Sequence, residues 1–203
     1  MPNVVAISHE ARNAAIGGQG IADEALLNGI AEGDRLAMHT LYTRHSVRVY
    51  RFVFRMVRDS AAAEDIVSQV FLDVWKSAGQ FEGRAQVSTW LLSIARFKAL
   101  TALRQRRHED IDQDDVMAIA DSAETAEAAL DRASTGAILR SCIARLSPAH
   151  REIVDLVYFH EMSVEEAGRV IGIPQATVKT RMFYARKALG ELLRGAGVAS
   201  LAA

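Results

Sequence analysis

Lys179, Thr180, Phe183, Tyr184 and Lys187 are spaced so that a single helix would display them together. At about 100° per residue, Val178, Met182, Ala185 and Leu189 gather on one side of the segment after Pro174. The opposite side carries Ala176, Thr180, Phe183, Tyr184 and Lys187, with Lys179 and Arg186 on its flank. Such a face suits DNA. Aromatic rings pack on thymine methyls and sugar edges, short polar groups and ammoniums bond base edges, and further cations meet phosphates. A surface helix with ordinary i,i+4 charges satisfies the same pattern, so the neighbouring elements decide between the two.

Those neighbours favour a helix-turn-helix over Ser163–Leu193. Ser163 with Glu166 three residues on is a capping box, which satisfies two orphan amide donors reciprocally. Ala167, Val170 and Ile171 give the first helix an apolar face. Gly172-Ile173-Pro174 then breaks it, because Gly accepts left-handed dihedrals and Pro removes a donor. The apolar stripe resumes with Val178 and continues through Met182, Ala185, Leu189 and Leu192 at helical period. Two helices joined by so short a turn can set the second into a major groove.

The whole composition frames this segment. Half of the 203 residues are hydrophobic, only three are Pro, and long periodic runs predict an all-α protein of two small helical domains joined by an acidic linker. The single cysteine, Cys142, lies on an apolar face and reads as a buried structural thiol. No His/Cys set has zinc spacing, and His160-Glu161 fails as the start of a metalloprotease motif because position 164 is Val. No nucleophile–base pair or phosphate-binding glycine loop is present, so neither an enzyme nor a cofactor is expected. No run reaches 18 apolar residues, and the first twenty lack the pattern of a secretory signal; a cytoplasmic protein is expected.

A net charge of −1 conceals a strong asymmetry. Residues 108–131 hold nine acids (Glu109, Asp110, Asp112, Asp114, Asp115, Asp121, Glu124, Glu127 and Asp131) and no Lys or Arg. Elsewhere 24 basic residues face 16 acidic ones, a surplus of eight. The chain therefore reads as two basic modules and an acidic connector. The expected boundaries are a leader over 1–22, a helical domain over 23–107, the linker over 108–132, the helix-turn-helix domain over 133–195 and a tail over 196–203.

Within the first domain, Asp23 is expected to cap a short helix with Leu26, Leu27 and Ile30 inside. A longer helix follows with Leu36, Leu41, Tyr42, Val49, Phe52, Val53, Met56 and Val57 as its apolar side. Arg44, Arg48, Arg51, Arg55 and Arg58 form a face read as solvated. Asp59-Ser60 opens a third helix with Ile66, Val67, Val70, Phe71, Val74 and Trp75 as its stripe. Past the loop Gly79–Gly83, Ser88 starts a fourth, bearing Trp90, Leu91, Ile94, Leu100 and Leu103. Six basic residues and no acid lie from Arg84 to Arg107. That basic helix with Trp90 and Phe97 either tracks a single strand by stacking and phosphate contact, or holds Trp90 in the core with a basic C-terminus. In the second domain Ser147-Pro148 restarts a helix, Ser as cap and Pro at its first position. Its inner face is Ile153, Val154, Val157 and Tyr158.

Three of these segments resemble one family. Ala63 to Trp75 is similar to the core-polymerase-binding helix of bacterial sigma factors. Ser88-Thr89-Trp90-Leu91 through Arg104-Gln105-Arg106-Arg107 resembles the promoter-melting segment. Leu146-Ser147-Pro148 with Arg151-Glu152, then Glu165-Glu166-Ala167 and Thr177–Arg181, resemble the C-terminal module. With two modules and a linker, the resemblance is to the extracytoplasmic-function group of the sigma-70 family, over about residues 23–194. It implies a polymerase contact, on the β′ clamp coiled coil, through Asp65, Ser68, Gln69 and Asp73; the family usually has Gln-Glu where Ser68-Gln69 stands here. It also implies contact with the β flap, recognition of a −10 element by the 80–87 loop and following helix (Gln80, Arg84, Trp90, Arg96, Lys98), and recognition of a −35 element by Lys179, Thr180, Phe183 and Tyr184. Arg181, Arg186 and Lys187 would meet phosphates. Trp90 matches one aromatic of a melting pair whose second member is here Leu91. Promoter DNA, core RNA polymerase and an anti-sigma factor are the implied partners. The linker is then either an RNA mimic inside the polymerase or a plain tether. The competing reading is a stand-alone helix-turn-helix regulator whose N-terminal half senses a ligand or dimerises.

Overall fold

The computed structural model describes residues 21–112 and 135–197. The leader up to residue 20, linker residues 113–132 and the last six residues of the expected tail lie outside them. Among the described residues the secondary structure is helical throughout. The elements are α1 (Asp23–Ala31), α2 (Arg35–Val57), α3 (Ser60–Ser77), α4 (Val87–Asp112), α5 (Thr135–Ala144), α6 (Pro148–Val154), α7 (Val164–Ile171) and α8 (Gln175–Gly195). The all-α expectation holds, and α4 carries its helix on to Asp112.

Caps set most of the boundaries. Asp34 accepts from the amides of Leu36 and Ala37 at 2.7 and 3.1 Å, and Asp59 from that of Ala62 at 3.0 Å. Ser147 caps α6 with Pro148 in its first turn. The capping box at α7 is complete: the Glu166 amide donates to Ser163 Oγ at 3.2 Å and the Ser163 amide to Glu166 Oε2 at 2.8 Å. Gly172 ends α7 with a φ of +78°, a conformation that disfavours any Cβ. Asp23, in contrast, caps nothing. The cap position belongs to Ala22, and the Asp23 carboxylate instead bonds Arg44 and, at 2.7 Å, His45 Nε2 of α2. A carboxylate inside the first turn faces sideways, where it ties two helices together rather than closing one.

In the N-terminal module α2 packs on α1, α3 and α4, and α3 on α4. Leu27, Leu41, Phe52, Val53, Val70, Val74, Leu91 and Leu92 are its buried centre. Each aliphatic or aromatic side chain so withdrawn from water contributes roughly 1.5–3 kcal/mol. In the C-terminal module α6 and α7 pack on α8, around Ile153, Leu156, Ala167, Val178 and Ala185. Cys142 is buried and unbridged, as expected. The chain forms the two helical modules expected, and they touch: α4 packs on α7, and buried apolar residues run on from one module to the other.

Four expectations about helix faces need correction. Leu36 is 74% exposed and Tyr42 sits at the surface. Leu36 stands in the first turn, where its neighbour Ala37 takes the buried position against α1. Trp75, at the end of the α3 stripe, is exposed as well. Tyr158 faces solvent, because α6 widens into a π turn over Asp155–Phe159 and the extra residue rotates its side chain outward. Of the arginines read as a solvated face, Arg44, Arg51 and Arg58 are exposed, whereas Arg48 and Arg55 turn inward to partners. Arg44 pairs with Asp23, Arg48 donates to the His160 carbonyl at 2.6 Å, and Arg55 pairs with the buried Asp155.

Candidate nucleic-acid interface

The outer face of α8 is built as its spacing predicts. Val178, Met182 and Ala185 are buried against the module, which forces the other side outward. Phe183 is 58% and Tyr184 53% exposed, their rings edge-to-face at 5.4 Å. Lys179, Thr180, Arg186 and Lys187 are exposed around them. Thr180 Oγ1 donates to the Ala176 carbonyl at 3.0 Å, which leaves its lone pairs toward solvent. Arg181 departs from this group. It is half-buried and lines a cavity of about 270 Å³ shared with Arg55, Arg96 and Glu152. Nothing but hydration opposes a large exposed aromatic pair on a charged helix, so these rings are available to a partner surface.

On α3, Asp65, Ser68 and Gln69 are exposed and one turn apart. Ser68 Oγ donates to the Glu64 carbonyl at 3.0 Å. Leu72 and Trp75 extend the same face as exposed apolar groups; the stripe read from sequence counts Trp75 among the core positions and leaves Leu72 out. Asp73 turns away from it. Its carboxylate lies 2.7 Å from Lys98 Nζ on α4, so two residues assigned to different partners pair with each other.

The remaining residues cluster around the turn before α4. Gln80 ends a single 3-10 turn, Ala78–Gln80, and Arg84 pairs with Glu82 at 2.6 Å on an open loop. Trp90 is half-buried with its ring 5.3 Å from that of Phe81, while Leu91 lies fully inside. Trp90 thus belongs to both readings, packed on one side and open on the other. A cavity of about 210 Å³ beside it is lined by Gln80, Phe81, Trp90, Ser93 and, from α7, Arg169. Phe97 stands out from α4 fully enough to stack on a base.

Arg96 projects from α4 into the cleft between the modules. Its Nε and Nη2 donate to the two carboxylate oxygens of Glu152, at 2.6 and 3.3 Å. Nearby, Arg55 pairs with Asp155 and stacks its guanidinium 4.2 Å from the centre of the Phe159 ring. Burial pushes the Arg48 guanidinium below its ordinary range, against an upward pull from Glu166 and Glu161. Burial does the same to Arg151, helped by the neighbouring charge of Arg58. Asp155 and Arg169 carry no motif of their own, and the motif that holds Glu152 does not show its partner. Only a contact between distant segments reveals them.

No group of His, Cys, Asp and Glu among the described residues could hold a metal, and no described helix is long and apolar enough to cross a membrane.

Family comparison agrees with this arrangement. The pattern described as sigma-70 region 2 matches residues 41–109, and that described as sigma-70, region 4 matches residues 136–189. The chain is 36% identical to the RNA polymerase sigma factor CarQ of Myxococcus xanthus, over 80% of this chain and 92% of that one. It is 29% identical to the ECF RNA polymerase sigma factor SigL of Mycobacterium tuberculosis, over 86% and 98%. Among solved structures, CnrH in complex with the cytosolic domain of CnrY superimposes with a TM-score of 0.63 at 24% identity, over 86% of this chain and 99% of that one. The sigma factor RpoE of Bartonella quintana, solved with the anti-sigma factor NepR, gives 0.62 at 24%, over 77% and 96%. With both modules matched in order and CarQ alike along most of its length, the chain belongs to the extracytoplasmic-function group of the sigma-70 family of RNA polymerase sigma factors.

Proposed function

We propose that this sigma factor grips its promoter at two points, with α8 reading the −35 element and the 80–87 loop with α4 holding the −10 element. The observation that carries this reading is the aromatic and cationic face of α8, exposed although its opposite side is buried. Lys179, Thr180, Phe183 and Tyr184 are the base- and sugar-contacting set, and Arg186 and Lys187 the phosphate contacts. Arg181 is assigned to phosphates too, from a half-buried start. At the −10 element, Gln80 and Trp90 bound the cavity for an unstacked base, and Arg84, Arg96 and Lys98 supply cations along the strand. Asp65, Ser68, Gln69 and the exposed Leu72 and Trp75 face the polymerase clamp, with Asp73 released from Lys98 on docking. The C-terminal module is assigned the β flap.

The protein carries out no catalysis of its own in this reading, needs no cofactor and acts in the cytoplasm, where polymerase and chromosome are. Solved structural neighbours carry CnrY and the anti-sigma factor NepR. An anti-sigma factor is the corresponding partner proposed for this chain. The test is run-off transcription with purified core polymerase over a pool of genomic fragments. The expected result is a small set of transcripts that share paired −35 and −10 sequences. Duplex binding of equal strength without polymerase, and no transcripts with it, would overturn the reading in favour of a free-standing regulator.

A further inference from the structure

We propose that the arginine-lined cavity between α2, α5 and α6 binds a purine nucleotide with two or more phosphates, a role separate from promoter recognition. The cavity holds about 320 Å³, at the small end of the range of roughly 300–1,000 Å³ over which small-molecule sites fall. From α2 it takes Phe54, Arg55 and Arg58, and from the C-terminal module Arg140, Arg151 and Phe159. One carboxylate, that of Asp155, stands among these four guanidiniums, and Arg55 already pairs with it. The lining side chains therefore carry a surplus of three positive charges.

Arg58 and Arg151 carry the inference. Neither meets a carboxylate among the described residues. They lie close enough that the Arg58 charge adds to burial in holding the Arg151 guanidinium below its ordinary range. Arg151 Nη2 donates to the Leu146 carbonyl at 3.0 Å, while its Nε is buried without a hydrogen bond. Two like charges side by side, one of them under-bonded, cost stability until an anion joins them. The backbone adds to that cost. Arg58 ends α2 at a φ of +54°, a left-handed position that glycine usually takes. No contact of its side chain within the described residues repays that conformation, whereas a phosphate held between two guanidinium forks would.

The rings select the rest of the ligand. Phe159 lies under the Arg55 guanidinium, 4.2 Å from its centre, and is still half-exposed. Phe54, four residues before Arg58, rests against Tyr50 on one side and is open on the other. Ile143 and Ala144 complete an apolar wall. Open rings beside clustered guanidiniums suit a planar base that stacks and phosphates that meet the forks. An inorganic anion leaves the rings unused, and an apolar ligand leaves the cations unpaired. Because both modules line the cavity, a ligand in it also stabilises their contact.

The test titrates ADP and GDP separately, without added metal, into the full chain by calorimetry, with pyrophosphate and adenosine as the two halves of the ligand. The expected result is a single site for at least one nucleotide, with pyrophosphate and adenosine each weaker by about tenfold or more. Arg58→Gly removes a guanidinium and gives the left-handed position its usual residue, so this variant is expected to unfold no earlier than the parent. Its nucleotide affinity is expected to fall by about tenfold or more, the worth of a charged hydrogen bond. Phe159→Leu is expected to weaken the nucleotide by about fivefold and to leave pyrophosphate unchanged. Arg51→Ala, on an exposed arginine of the same helix outside the cavity, is expected to bind as the parent does. No heat from either nucleotide at about 1 mM, or parent-like affinity in Arg58→Gly, overturns the site. Pyrophosphate as tight as the nucleotide, or a nucleotide affinity that Phe159→Leu leaves intact, overturns the base and with it the ligand class. Displacement of the nucleotide by an equimolar thymidine oligonucleotide transfers the cavity to nucleic acid and overturns the proposal as well.

Discussion

Phe183 and Tyr184 were legible from sequence because a helical wheel needs only spacing, and both stand exposed as a ring pair on α8. Lys179 shares their face, so Lys179→Ala is expected to weaken −35 duplex binding by the holoenzyme by about 1–3 kcal/mol, the worth of one good base contact. Transcription from a −35-dependent promoter at the parent level would take Lys179 off the reading face. Asp23 shows what spacing cannot reveal. Its type suggested a cap, and its partners proved to be Arg44 and His45 on the next helix. Burial raises its carboxyl, but the hydrogen bonds and charges of His45 and then Arg44 outweigh that and hold it below the ordinary aspartate range. A folded-state value below the unfolded one means the stabilisation is complete above about pH 4 and fades as pH falls through the lower folded value. Denaturant titrations are expected to show the stability gap between parent and Asp23→Asn constant at neutral pH and closing below about pH 4. A gap that widens with acid would contradict the pairing.

At the scale of elements, most caps and the centres of the stripes stand where the sequence put them, while Asp23 and the stripe ends Leu36 and Trp75 do not. The capping box, the Gly172 turn and the Ser147-Pro148 start are local, and each stands where its chemistry puts it. Some misread faces belong to residues whose surroundings come from elsewhere in the chain, and one to a local irregularity. Arg48 and Arg55 looked solvated because His160 and Asp155 are more than ninety positions away. Tyr158 looked buried because a π turn cannot be seen in a 3.6-residue pattern. Gly168 also passed unnoticed. A Cβ there would lie 2.9 Å from the Ile173 carbonyl oxygen, inside the turn that sets α7 against α8. That oxygen is backbone and cannot step aside. Gly168→Ala is therefore expected to cost about 1–3 kcal/mol by overcrowding, only partly offset by alanine's helix propensity of about 1 kcal/mol. Ser163→Ala removes one half of the capping box and costs about 1 kcal/mol. Chemical denaturation ranks the two. An unperturbed Gly168→Ala would mean that the turn has slack the geometry does not show.

The whole molecule is governed by charge distribution. Its acids are concentrated between two modules that share a basic surplus of eight. Six of the nine linker carboxylates (Asp114, Asp115, Asp121, Glu124, Glu127 and Asp131) fall outside the described residues. At physiological salt a charge is felt over about 8 Å, so a connector influences what it touches and little beyond. In a polymerase complex, a chain threaded along a channel that is basic because it holds nucleic acid would meet those cations at close range. Nine carboxylates would then stand in for an RNA backbone, and the lengthening transcript would have to displace them. A plain tether makes no such demand. Serine at all nine positions keeps length and polarity and removes the charge, which separates the two readings. Mimicry predicts core binding within about twofold of the parent, since the α3 face is untouched, and a changed ratio of abortive to full-length transcripts from one promoter. Equal abortive and full-length yields for the two proteins would leave the acidic run as a spacer. Its charge would then serve only to keep two basic modules soluble and off the wrong DNA.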